Sequence, residues 1–126
     1  MRGPRITVIQ GKKHVSQEKG PPAPLELSRR VLPTGEAAVE IGGELDMDTA
    51  DKAFRYVQKI INRHRGPVVV SLARVTFCDA HGLRALVLMA NCAEQAGRPF
   101  RVTAPTPRVA KLLRVTGLDS KFPAAG

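Results

Sequence analysis

The feature that most constrains the fold is the stretch VVVSLARVTFCDAHGLRAL at residues 68–86, in which an apolar run leads into a helical pattern. The run VVVSL is rich in β-branched residues, which predicts a central strand buried on both sides. From Gly82 to Ala96, apolar residues occupy one helix face and spread beyond it, so we expect a helix that is nearly surrounded. A strand followed at once by a helix is typical of α/β domains.

The rest of the chain continues this alternation. LELSRRVL and EAAVEIGGELD flank the turn signal PTG and predict a hairpin. Residues 50–61 place apolar side chains on one helix face, with Asp48 or Thr49 as the N-cap and GP at 66–67 as the stop. FRVTA predicts a strand, and TPRVAKLLRVTG predicts a helix capped by Thr106. The order ββαβαβα predicts an α/β domain with one sheet and helices mainly on one face.

Length and composition limit the classes of protein to which the chain can belong. With 126 residues, 43% of them hydrophobic and 25% charged, the chain is long enough for one domain with a real core. Residues 1–24 are rich in Gly, Lys and Pro and predict a flexible basic tail, in which RITVIQ could add an edge strand; the domain proper is expected at 25–126. The sequence shows no apolar run of membrane-spanning length and no signal-peptide pattern, so we expect a cytoplasmic protein without a membrane partner.

The two cysteines are expected to be free thiols. Cys78 ends the central strand and Cys92 lies in the following helix, about 16 Å further along, which is too far for a disulfide. We interpret both as small core side chains. Neither belongs to a CxxC motif or a Cys/His cluster, so zinc is not expected.

A net charge of +9 raises the question of a nucleic-acid partner. The tail contributes +4, from five basic residues and one acidic residue, and the remaining fifteen basic and ten acidic residues give +5. We interpret these as scattered over solvated helix faces, because no basic run is interleaved with aromatic residues that could stack on bases. Nucleic-acid binding is therefore not the favoured function, and the tail is the segment that would carry it.

Acidic side chains follow two predicted strands, at the edge where α/β sheets commonly bind ligands: Asp46 and Asp48 in ELDMD, and Asp79 with His81 in CDAH. One hypothesis is a small metal-dependent phosphotransfer enzyme that holds Mg²⁺ there. The simpler interpretation is that these aspartates end a strand and cap helices. No further Lys, Ser or Thr completes a phosphotransfer set, and the sequence has no nucleophile elbow or phosphate-binding glycine loop. We therefore predict no catalytic residue, no metal and no cofactor.

Three blocks of the sequence resemble the STAS family, and more narrowly bacterial anti-sigma-factor antagonists: GELDMDTA, VVVSLARVTFCDAHGLRAL and RVAKLLRVTGLDSKF. The resemblance covers about residues 25–123. It implies a small, mixed but mostly parallel sheet of four to five strands with helices packed mainly on one face. It also implies a non-enzymatic protein that binds an anti-sigma factor, usually a serine kinase of the GHKL type, and so releases a sigma factor.

The resemblance further indicates a partner-binding turn. In switching members of the family the central motif is Asp-Ser-Ser-Gly, and the kinase phosphorylates the second serine. Alignment of Asp79 and Gly82 with that motif puts His81 at the phosphoacceptor position, which implies a contact surface without the serine switch. The partner-binding residues expected on this basis are Asp46, Asp79, Ala80, His81, Gly82, Leu83 and Arg84. The alternative within the family is a STAS scaffold or signalling protein with a different protein partner, other STAS proteins included.

Overall fold

The structure, a computed structural model, describes residues 23–122, which form a four-stranded mixed sheet with three α-helices. Residues 1–22, most of the predicted tail with its RITVIQ segment, lie outside the described residues, as do residues 123–126. The elements are β1 (Glu26–Val31), β2 (Ala37–Leu45), α1 (Ala50–Arg63), β3 (Val68–Cys78), α2 (Ala80–Gln95), β4 (Phe100–Thr103) and α3 (Pro107–Val115), followed by a short 3₁₀ helix (Leu118–Ser120). The predicted order ββαβαβα and the predicted fold class are confirmed.

The sheet has the order β1-β2-β3-β4. β1 and β2 form the predicted antiparallel hairpin, whose turn includes Gly35 with a φ of 94°, a conformation that favours glycine. β3 pairs in parallel with both β2 and β4. Because β2 and β3 run in the same direction, Leu45 lies opposite Cys78, and the turns that follow these two strands are neighbours at one edge of the sheet.

One face of the sheet carries the core. Alternate side chains of β3, among them Val68, Val70 and Leu72, are fully buried there. The prediction that VVVSL is buried on both sides is wrong, because Val69 and Ser71 on the opposite face are only half-buried. β3 is nevertheless a central strand, since β2 and β4 flank it.

The three helices contribute their apolar stripes to a single buried cluster. α2 is less enclosed than predicted: Arg84 is exposed on its outer face, and Val87 and Leu88 are only half-buried. The helix begins at Ala80, directly after Asp79 at its N-cap. Within the described part of the chain, no helix has both the length and the apolar composition needed to cross a bilayer.

The predicted signals at other helix ends are confirmed. Gly97, just beyond α2, has a φ of 70°, the left-handed conformation typical of a helix C-terminus. Thr106 caps α3, since its hydroxyl oxygen accepts a hydrogen bond from the backbone N–H of Val109 at 3.4 Å. Pro107 follows in the first turn, where the missing N–H costs nothing.

Candidate functional site

Two turns meet at the carboxyl edge of the sheet. One links β2 to α1 and contains Asp46 and Asp48, and the other links β3 to α2 at Asp79. The backbone N–H of Asp79 donates to the carbonyl oxygen of Leu45 at 3.3 Å, which ties the second turn to the end of β2. We define the turn surface as the accessible residues of these turns and of the start of α2: Asp46, Met47, Asp48, Ala80, His81 and Arg84.

Asp79 fixes the start of α2. Its Oδ1 atom accepts hydrogen bonds from the backbone N–H of His81 at 2.9 Å and of Gly82 at 3.1 Å. These are two of the N–H groups that have no partner within a helix, and the carboxylate also interacts favourably with the helix dipole. The prediction that Asp79 is a cap is confirmed, and such a cap stabilises a protein by about 1 kcal/mol.

Three predicted contact residues are accessible at this helix start. Ala80 and Arg84 are exposed, and 57% of the His81 side chain is exposed. His81 Nδ1 lies 3.6 Å from Asp79 Oδ1, so a protonated imidazole would form an ion pair there. At this exposure the pair contributes about 1 kcal/mol or less, which leaves the ring available to a partner.

Gly82 and Leu83, also predicted contact residues, are buried. A Cβ atom at Gly82 would lie 2.3 Å from the carbonyl oxygen of Leu45 and 2.8 Å from Cys78 Sγ, so the first turn of α2 packs directly against the end of β2. Leu83 is 6% exposed and belongs to the core. Gly82 and Leu83 are therefore not exposed to a partner, and they support the turn surface by packing the start of α2 against β2 and the core.

The β2–α1 turn is closed by Asp46 together with Thr49. Asp46 Oδ1 accepts a hydrogen bond from the backbone N–H of Asp48 at 2.9 Å. The Thr49 hydroxyl donates to the carbonyl oxygen of Glu44 at 2.8 Å and accepts from the backbone N–H of Asp46 at 2.9 Å. Thr49 occupies the N-cap position of α1, one of the two predicted, but its side chain bonds backwards to the turn instead of forwards to the helix.

Met47, at the tip of this turn, was not among the predicted site residues. It is 68% exposed, an unusual exposure for a large apolar side chain, and Asp46 and Asp48 flank it in sequence. A flexible thioether side chain adapts readily to the shape of a partner. The signal was present in ELDMD, where an apolar residue interrupts an acidic turn outside the period of strand or helix.

Two of the three acidic side chains of the site hold the turns closed. The carboxylates of Asp46 and Asp79 accept the backbone hydrogen bonds that close the two turns. Within residues 23–122, no group of three or more His, Cys, Asp or Glu side chains is placed to hold a metal ion. What the arrangement offers a partner is an exposed surface of mixed charge with apolar side chains at Met47 and Ala80.

Cys78 provides a chemical probe of this site. Burial, and secondarily the neighbouring charge of Asp79, raises the pKa of the Cys78 thiol from 9.0 to about 12. Because only the thiolate reacts, a pKa of about 12 leaves about a thousandth of the ordinary thiolate fraction below pH 9. We expect a Cys92→Ser variant, in which Cys78 is the remaining thiol, to react with a thiol reagent at pH 8 at least a hundredfold more slowly when folded than in denaturant.

The control is a Cys78→Ala variant, in which Cys92 is the remaining thiol. Cys92 is half-buried and its pKa is raised by burial, and in the folded protein it should react faster than Cys78 does. Equal rates for the folded and unfolded forms of the Cys92→Ser variant would show that the turn opens readily.

The chain is similar in sequence to one protein family and in structure to several solved proteins. The family model described as Mlab, STAS domain, matches residues 29–123. Among curated proteins, none matches the chain. An anti-sigma factor antagonist from Mycobacterium paratuberculosis has a similar structure, with a TM-score of 0.72, 24% identity, and coverage of 87% of this chain and 89% of that one.

Two further solved structures share the fold. The anti-sigma factor antagonist SpoIIAA, a Bacillus cell fate determinant, in its unphosphorylated form has a TM-score of 0.66 at 17% identity, over 80% of this chain and 89% of its own. A sulfate transporter family protein from Wolinella succinogenes has a TM-score of 0.63 at 24% identity, over 74% of this chain and 75% of its own. At these identities the likeness establishes the fold.

Proposed function

The chain belongs to the STAS domain family, and on that premise we propose that it is a non-catalytic regulatory protein that binds an anti-sigma factor of the serine-kinase type and thereby releases a sigma factor. The observation that carries this proposal is the turn surface, where Ala80, His81 and Arg84 stand exposed beside the β2–α1 turn. The presence of anti-sigma factor antagonists among the structures with the same fold supports it.

The chemistry of the turn surface suits a protein partner. Met47 and Ala80 offer apolar contact area, while Asp46 and Asp48 on one side and Arg84 on the other offer charges of opposite sign. Protein interfaces commonly combine an apolar centre with a polar rim of this kind. The half-buried Val87 and Leu88 of α2 would extend the contact along the outer side of the helix, starting from Arg84 one turn earlier.

In this proposal the interaction has no serine switch. A phosphoserine at the position of His81 would add about −1.5 to −2 charges at the start of α2, which the helix tolerates and a partner surface would not. Ala80 and His81 offer no hydroxyl to a serine kinase. Regulation would then depend on the amounts of the two proteins or on competition with phosphorylatable relatives.

A second candidate is a STAS scaffold or signalling protein with a different protein partner. It is favoured by the family model, whose description is Mlab, and by the structural likeness to a sulfate transporter family protein. The two candidates use the same turn surface and differ in the protein that it binds.

Affinity purification of the tagged protein from its native cells, with mass spectrometry of the co-purified proteins, tests the proposal. We expect the wild type to recover a GHKL-type kinase homologue, and a His81→Glu variant to lose it, because the new charge lies in the turn surface at a helix start that tolerates an anion. Asn62→Glu is the matched control, since Asn62 is exposed on α1 and the substitution introduces the same side chain. Recovery of the kinase by both variants would contradict the proposed surface, and recovery of STAS proteins without a kinase would favour the scaffold.

A further inference from the structure

The outer face of α3 is a concentrated cationic surface. Residues 98–121 contain six basic side chains and a single acidic one, Asp119. Three of the basic side chains, Arg108, Lys111 and Arg114, are exposed along α3, and Lys121 follows shortly after the helix. The outer side of α3 is therefore one of the solvated basic helix faces that the sequence predicts.

These four cations differ from the other basic residues of the segment in having no structural partner among residues 23–122. Arg98 is engaged, because its Nε donates to the carbonyl oxygen of His64 at 2.8 Å. Arg101 forms an ion pair with Glu36 at 2.9 Å. By contrast, within the described part of the chain no carboxylate lies within ion-pair distance of Arg108, Lys111, Arg114 or Lys121.

An exposed apolar side chain lies within this cationic face. Val115 is 74% exposed, the most exposed of the large hydrophobic side chains in residues 23–122. It follows Lys111 by four residues and Arg108 by seven, so it stands beside them on the outer side of α3. The inner side of the helix is held by Val109 and Leu113, both buried in the core, which keeps the cationic side turned outwards.

We propose that the outer face of α3 binds the surface of an anionic lipid bilayer. The cations would contact lipid phosphates, and the Val115 side chain would enter the apolar layer beneath them. The combination favours a bilayer over nucleic acid, because a phosphate backbone would satisfy the cations and leave Val115 without a role. A contact of this kind is peripheral and needs no membrane-spanning helix, so the absence of an apolar run in the sequence did not bear on it. The proposal goes beyond the partner-binding function assigned to the turn surface.

Co-sedimentation of the full chain with vesicles tests the proposal. We expect binding to vesicles of phosphatidylcholine with about 30% phosphatidylglycerol, no binding to pure phosphatidylcholine, and weakening of about tenfold or more on raising the salt from about 50 to 300 mM. A triple variant, Arg108→Ala, Lys111→Ala and Arg114→Ala, should bind the anionic vesicles at least tenfold more weakly.

Two controls make this test specific to α3. The first is a second triple variant, Lys52→Ala, Lys59→Ala and Arg63→Ala, which removes the same charge from the exposed side of α1 and should bind like the wild type. The second is Val115→Ser, a change at an exposed position that leaves both the charge and the core intact and should weaken binding severalfold. Circular dichroism of each variant would confirm that the domain remains folded.

Several results would overturn the proposal. They are a wild type that does not bind the anionic vesicles, equal weakening by the two triple variants, and binding that depends on residues 1–22 and not on α3. Tighter binding to a duplex DNA of about 25 base pairs, lost in the α3 triple variant but unchanged by Val115→Ser, would assign the face to nucleic acid instead.

Discussion

A Gly82→Ala variant is expected to lose about 2 kcal/mol of unfolding free energy, although alanine is the better helix former by about 1 kcal/mol. The added Cβ atom would lie 2.3 Å from the carbonyl oxygen of Leu45, and neither backbone segment can move aside without opening the junction between β2 and α2. Urea denaturation followed by circular dichroism measures the loss. The displaced turn should also expose Cys78, whose Sγ would lie 2.8 Å from the new atom, and so accelerate its labelling.

The matched control is Gly97→Ala at the other end of α2. Nothing lies within 4 Å of a Cβ atom there, so the change meets only the penalty for a φ of 70°, about 1 kcal/mol, and leaves the labelling of Cys78 unchanged. Wild-type stability and labelling in the Gly82→Ala variant would contradict the close packing of α2 on β2. It would also weaken the case that the two turns form one surface.

The order of elements could be predicted because each boundary has a local chemical signal. Thr106 and Pro107 start α3, Gly97 follows the end of α2, and PTG closes the hairpin, as the sequence indicates. The enclosure of β3 could not be predicted in the same way. An apolar Val69 is compatible with a second buried face, and only the placement of the helices shows that this face meets solvent.

The site was predictable in part for a similar reason. The position of Asp79 at a strand–helix junction marked it as a cap, and parallel pairing of β2 with β3 brings Asp46 to the neighbouring turn. The burial of Gly82 depends on contact with a residue 37 positions earlier, Leu45, which no local pattern reveals. The helical period of residues 107–115 places Arg108, Lys111 and Arg114 on the outer side of α3, and they are exposed there. Which basic residues find a carboxylate partner could not be predicted, because the sequence shows only which residues are basic.

A His81→Ser variant is expected to become a substrate for the proposed kinase partner, whereas the wild type should carry no phosphate at this turn. The Asp79 cap holds the backbone N–H of residue 81 at 2.9 Å, so a serine there would stand exposed at a helix start that stabilises the resulting phosphate. The assay incubates each variant with ATP and the GHKL-type protein that we expect the affinity purification to recover. Mass spectrometry should find phosphoserine at position 81, and the modified variant should bind the kinase at least tenfold more weakly than the unmodified one.

Two further variants separate the position of the hydroxyl from its presence. Ala80→Ser introduces a serine one residue earlier, at the first serine position of the related motif, and should remain unmodified. His81→Ala removes the imidazole without adding a hydroxyl that could accept phosphate.

Phosphate on the wild type, on His81 included, would overturn the model of a protein without a switch. A His81→Ser variant that binds the kinase and is not phosphorylated would show that position 81 does not reach the kinase active site. In that case the turn surface would be a docking site alone, and the imidazole of His81 would act through its contacts with the partner and not through the loss of a hydroxyl.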